Sequence, residues 1–216
     1  MHSAADQACQ IYAAKIREAS QRLIAAAEYL SAWRTAGTLV SLDSATLQLR
    51  KSLEAVAFAS IAPNREAYAE FRRRAEDQKD YTKDYHASKI FRVLSKINPD
   101  FFPIPLTGPT AMPDGTLFFG RKHDGYLSKK RFESVYDRLG RHLHTYNPWG
   151  TTANQDDLAS TLEAVIEESR ALLELHATFI WFPQFSGAWV VKVPRDGSPA
   201  EIILGATQGE FTVADG

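Results

Sequence analysis

Between Tyr136 and His144 the chain gathers Arg138, Arg141, His142 and His144 into seven consecutive residues. Arginine offers a planar, permanently charged fork that matches the oxygens of a phosphate. Histidine titrates near neutral pH and can carry a proton. Together such groups can cleave RNA without a metal. An imidazole takes the proton of a ribose 2′-hydroxyl while a guanidinium stabilises charge on the pentavalent phosphorus. The same residues have a second use. Basic side chains near a helix C-terminus complement its dipole and reach its last carbonyls, and His144 can bond Asn147 or backbone in the turn at Pro148.

The element that must position them is an amphipathic helix. Ser128 can cap it, Phe132, Val135, Tyr136, Leu139 and Leu143 form its inward stripe, and Asn147-Pro148 with Gly150 stop it over 145–150. In a regular helix, residues six apart are rotated by about 600°, which leaves them roughly 120° out of line. Arg138 and His144 therefore meet one phosphate only if the helix unwinds near Gly140 or ends before His144. Arg138 with His142, or Arg141 with His144, share a face more naturally. Trp149 follows directly and can either stack on a base or plug the helix end.

Arg138, five intervening residues and His144, flanked by the apolar Leu139 and Leu143, resemble the Arg-x4–6-His motif of the HEPN superfamily. A long first helix and the Leu-Arg-Lys-Ser-Leu-Glu run ending at Glu54 are similar to that fold as well, over about residues 3–175. The segment Leu143 to Pro148 also resembles a Leu-His-x-x-Asn-Pro stretch of uncharacterised bacterial proteins. The resemblance implies a helical bundle, a homodimer with a composite site, and metal-independent RNA cleavage in a defence or toxin–antitoxin setting. It implies that Arg138 binds phosphate, that His144 is base or acid, and that Glu54 orients them. From their own types and positions Arg141, His142, Asn147 and Trp149 are expected as further binding residues. This sequence departs from the motif at Leu139, where many active members carry a small polar residue. The rival expectation is a non-catalytic interaction protein that meets a protein partner through its strands or its Pro-rich loop.

Other chemistry-bearing residues are scattered. His86, His123 and His176 make no i, i+4 pair with a helical Glu, so no metal and no cofactor is expected. There is no Gly-rich phosphate loop and no serine nucleophile elbow. Arg72-Arg73-Arg74 is diluted by Glu70, Glu76 and Asp77. A second basic run, Arg121-Lys122 with Lys129-Lys130-Arg131, can help hold a phosphate backbone.

Around the motif helix the pattern is mostly helical. Tyr12, Ile16, Ala19, Leu23, Ala26, Leu30 and Trp33 recur at spacings of four and three, a stripe that predicts one long helix stopped by Gly37. A second helix is expected from Asp43 or Ser44 and a third from a cap at Asn64. A fourth carries Ile90, Phe91, Leu94 and Ile97, and another spans about 154–175. Pro103, Pro105, Pro109 and Pro113 make residues 101–115 neither helix nor central strand. A short hairpin is expected between 117–119 and Tyr126-Leu127. Strands are expected over 178–182, 188–193 and 201–204, with Trp181 and Trp189 between them and the helices.

The expected fold is therefore α+β, mainly α. A bundle of four to six helices occupies 1–175, with a Pro-rich loop over 98–127, and a three-stranded antiparallel meander occupies 176–216. Hydrophobic residues at 44% support a real core, and a net charge of −1 from 25 basic and 26 acidic residues leaves RNA binding to local patches. Cys9 is the only cysteine, no apolar run approaches the roughly 20 residues that cross a bilayer, and 1–10 lacks a secretory pattern. A cytoplasmic protein without membrane contact is expected.

Overall fold

The computed structural model describes residues 4–75, 80–145, 149, 154–182 and 185–206. These contain helices α1 (Ala4–Ala36), α2 (Leu39–Ile61), α3 (Arg65–Arg73), α4 (Ala87–Ile97), α5 (Lys129–His142) and α6 (Gln155–Leu173). The strands are β1 (Ile104–Ala111), β2 (Leu117–Arg121), β3 (Leu175–Phe182), β4 (Phe185–Lys192) and β5 (Glu201–Ala206). The fold is α+β and mainly α. Among the described residues no helix is long and apolar enough to cross a membrane.

The α1 stripe is buried from Tyr12 to Leu30, with Trp33 half-buried at its end. Gly37 takes a left-handed φ of +66°, and its N–H reaches the Trp33 carbonyl at 2.7 Å, which ends α1 in one residue. This tight exit moves the start of α2 earlier than the expected Asp43 or Ser44. Thr38 is the N-cap, and its hydroxyl meets Ser41 Oγ at 2.7 Å. Asn64 does not cap α3 with its side chain. It donates to the Ser60 carbonyl and accepts from Asn98 Nδ2, tying the end of α2 to the end of α4 inside the core. Ser128 caps α5 as expected, accepting from Arg131 N, and Asn154, where α6 was expected to begin, caps it by accepting from Asp156 N and Asp157 N.

The sheet corrects the sequence reading most. It has five antiparallel strands in the order β2-β1-β3-β4-β5 where three were expected. The Pro-rich segment supplies β1, an interior strand, and β2 pairs with β1 rather than with Tyr126-Leu127. Prolines fit because each ladder is short. β1 pairs with β3 only at Ile104 and Pro105, then continues with β2 alone, and a bulge between Leu106 and Pro109 absorbs the missing donors. The turn is closed by Asp114, which accepts from the N–H and hydroxyl of Thr116, and by Gly115 at φ +83°. Leu127, expected in a strand, is a buried plug whose N–H donates to the Glu168 carbonyl.

Core packing joins sheet and helices. Trp189 is buried and meets Tyr12 edge-on at 5.5 Å, so the inner face of β4 closes on the α1 stripe. The Trp181 side chain lies outside the described residues. His176, on β3, is fully buried beside them. Its Nδ1 lies 2.9 Å from the Leu173 carbonyl and so carries the proton, leaving Nε2 to accept from Tyr12 Oη at 2.7 Å. Burial drives the His176 pKa down to about 4 and raises that of Tyr12 far above the usual phenol range. Both groups are therefore neutral at physiological pH.

Candidate functional site

The arginine–histidine segment stands on a buried anchor. Phe132, Val135, Tyr136 and Leu139 bury one face of α5, and Phe132 stacks on Phe91 of α4 with centroids 4.6 Å apart. Tyr136 ties α5 to α2 through one oxygen. Its hydroxyl donates to Glu54 Oε1 at 2.9 Å and accepts from Arg50 Nη2 at 2.8 Å. Arg50 also donates to the Tyr136 carbonyl at 2.9 Å, lies 4.0 Å from the ring centre and sits 3.4 Å from Glu54. Burial, and secondarily the Glu54 charge, push the Tyr136 pKa up to about 12, so the phenol keeps its proton.

Gly140 makes this anchor possible. A Cβ there would overlap Arg50 Nη1 and lie 3.2 Å from Cζ, so the absence of a side chain admits the guanidinium to the α5 backbone. Gly140 does not unwind the helix, which continues to His142. Glu54, assigned by the resemblance to orienting the cluster, has its Oε1 occupied by Tyr136 and Arg50. Arg50 was not singled out from the sequence. Its i, i+4 spacing from Glu54 on a helix was the available signal.

Beyond the anchor the helix ends early. Leu143, expected to be buried, is the half-buried C-cap, and the His144 N–H bonds the Arg141 carbonyl at 3.4 Å. His144 is thus held against the last turn while lying outside the helix. Arg138, Arg141 and His144 are exposed, His142 is half-buried, and Trp149 is 92% exposed. Neither Arg138 nor Arg141 pairs with a carboxylate among the described residues. Asn147 lies outside them. No group of three or more His, Cys, Asp or Glu suited to a metal occurs among the described residues.

Burial first, then the charges of Arg138 and Arg141, hold the His142 pKa below its ordinary value. The shift favours the uncharged imidazole. In Arg138→Ala the pKa should rise, because one repelling charge is gone while burial is unchanged. An NMR titration of the ring protons reads this, and an unchanged or lower value would contradict the proximity of the two groups.

The arrangement can hold an anion with two exposed guanidiniums that pair with no carboxylate among the described residues, and it offers two imidazoles in different environments. None of the family models, curated proteins or solved structures compared with this chain matches it, so its function is argued from its own residues.

Proposed function

We propose that the C-terminal end of α5 binds the RNA backbone and cleaves it without a metal, in the manner of the HEPN superfamily that the Arg138–His144 spacing resembles. The observation that carries the reading is the end of α5 at His142. His144 then escapes the helical rotation that would turn it away from Arg138. Exposure and the lack of carboxylate partners leave Arg138 and Arg141 available for phosphate oxygens.

In this reaction Arg138 holds the non-bridging oxygens, and His144 takes the 2′-hydroxyl proton as O2′ attacks phosphorus. The P–O5′ bond breaks, giving a 2′,3′-cyclic phosphate and a 5′-hydroxyl whose proton comes from solvent. His142 and Arg141 bind the flanking phosphate, and Trp149 offers a ring for stacking. A homodimer would place two such clusters in one composite site.

The test is cleavage of mixed RNA in EDTA by the full chain and by His144→Ala and Arg138→Ala. A loss on the order of 100-fold in each variant is expected for a proton-transfer group and a charge-stabilising group. Equal cleavage by wild type and His144→Ala, or none by either, removes the nuclease reading. A non-catalytic partner-binding role has one observation in its favour. Met112, Leu117 and Phe118 expose apolar surface together at the tip of the β1–β2 hairpin. That role predicts no cleavage and a change in oligomeric state or partner binding in Phe118→Ser.

A further inference from the structure

A cleft lies beside the Tyr136 anchor, which touches its lining residue His86. Residues 80–84 and the start of α4 enclose it, with α3, to a volume of about 190 Å³. Its floor is an ion pair between Arg72 and Asp84, whose side chains are only 11% and 9% exposed. Asp84 accepts from Arg72 Nη2 at 3.1 Å and from Tyr68 Oη at 2.9 Å, and Arg72 Nε is 3.0 Å away. Among the described residues Asp84 is the one carboxylate lining the cleft, and it is consumed by its own floor; Asp137, which accepts from Ser88 Oγ at 3.1 Å on the first turn of α4, stands outside the lining.

The rim is basic and aromatic. Lys89 has no carboxylate within ion-pair distance among the described residues. Lys83 has only Asp80 at 3.8 Å, and that carboxylate already accepts the N–H and hydroxyl of Thr82. His86 is the N-cap of α4, yet its side chain does not cap the helix, and the first turn holds no acidic residue. The positive end of the α4 dipole adds to the same field as the two lysines. Tyr85 is 74% exposed, and its ring lies 5.6 Å from that of His86, which in turn meets Tyr136 edge-on at 6.1 Å. A large aromatic ring thus stands in solvent beside a braced imidazole and two cations.

From this juxtaposition we infer that the cleft binds a small phosphate monoester carrying a planar ring. Lys83 and Lys89 hold the phosphate, His86 donates to it or accepts from its hydroxyl, and Tyr85 stacks on the ring. The buried Arg72–Asp84–Tyr68 floor fixes the backbone that carries these groups. The volume suits a phosphate and a sugar and leaves the ring at the Tyr85 rim. The site is separate from the α5 cluster and does not depend on the RNA reading.

Calorimetric titration of the full chain with adenosine 5′-monophosphate tests it, with inorganic phosphate and adenosine as partial ligands. The Lys83→Ala/Lys89→Ala variant should bind the nucleotide at least ten-fold more weakly. Tyr85→Ala should weaken the nucleotide about three-fold or more and leave inorganic phosphate unchanged. A short 5′-phosphorylated RNA distinguishes a free ester from a strand end, according to which binds more tightly with the same lysine dependence. Arg138→Ala/His144→Ala should retain full nucleotide affinity. Loss of binding in that variant, lysine-independent binding, or no binding by the wild type would each overturn the proposal.

Discussion

Acidification from pH 7 to pH 4 should remove on the order of 3 kcal/mol of folding stability through His176 alone. The sign follows from where the proton goes. In the unfolded chain His176 titrates at its ordinary value near 6.5, whereas in the fold burial holds it to about 4. Between those values the unfolded state carries the extra proton, so unfolding becomes easier as pH falls. The contribution is fully present above about 6.5 and gone below about 4. Protonation would also put a second N–H on Nε2, against the Tyr12 hydroxyl that now donates to it. That phenol can rotate its proton away, but among the described residues no carboxylate bonds to the ring to compensate the charge. Urea unfolding at pH 7.5, 6 and 5 reads the slope, and His176→Gln should flatten it. A wild-type stability that is level across that range would overturn the assignment. Carboxylates such as Glu18 and Glu174, whose pKa values the neighbouring cations lower, lose their contribution at more acid pH.

Arg50→Ala should cost on the order of 2–3 kcal/mol, measured as a fall in the urea midpoint without change of slope. Three contacts vanish together: the bonds to the Tyr136 carbonyl and hydroxyl and the ion pair with Glu54. Glu54 is then left 27% exposed without its cation, while Arg50 itself is 17% exposed, so solvent repays only part of the loss. Arg50→Lys keeps the charge but has no planar fork to reach both Tyr136 oxygens, and should recover less than half. Gly140→Ala reaches the same bonds by overlap with the guanidinium. Its gain in helix propensity, about 1 kcal/mol, offsets part of that cost, so its net effect should be destabilising but smaller. An Arg50→Ala effect within about 0.5 kcal/mol would mean that α5 is held by its apolar face alone. The same anchor holds the α5 backbone that carries Arg138 and Arg141.

The helices were legible because their information is local. The α1 stripe, the α5 stripe through Leu139 and the cap at Ser128 all follow from periodicity and from a single side chain that accepts an N–H bond. The sheet was only half legible. β3, β4 and β5 read as hydrophobic runs, but β1 is rich in proline, and what licenses it is pairing with segments far away in sequence. Asn64 misled for a related reason. A helix-cap residue type was instead used across 34 residues, to bind Asn98. At the candidate site the residue types were visible, whereas the engagement of Glu54 depends on tertiary contacts between α2 and α5. The α4 cleft could not be read at all, since its basic and aromatic residues converge only after α3 and α4 pack.

The short ladder between β1 and β3 has a consequence for how the sheet behaves as a material. Only Ile104 and Pro105 bridge the hairpin to the rest, whereas β3 and β4 pair along their whole lengths. Cooperativity passes poorly through so narrow a seam, so the sheet is two mechanical units joined by a hinge of two residues. The seam lands on Ala177 and His176, so the outer end of the hairpin should fray first while its inner end stays tied to the Tyr12–His176–Trp189 interior, and amide exchange should find the hairpin fast and β3–β4 slow.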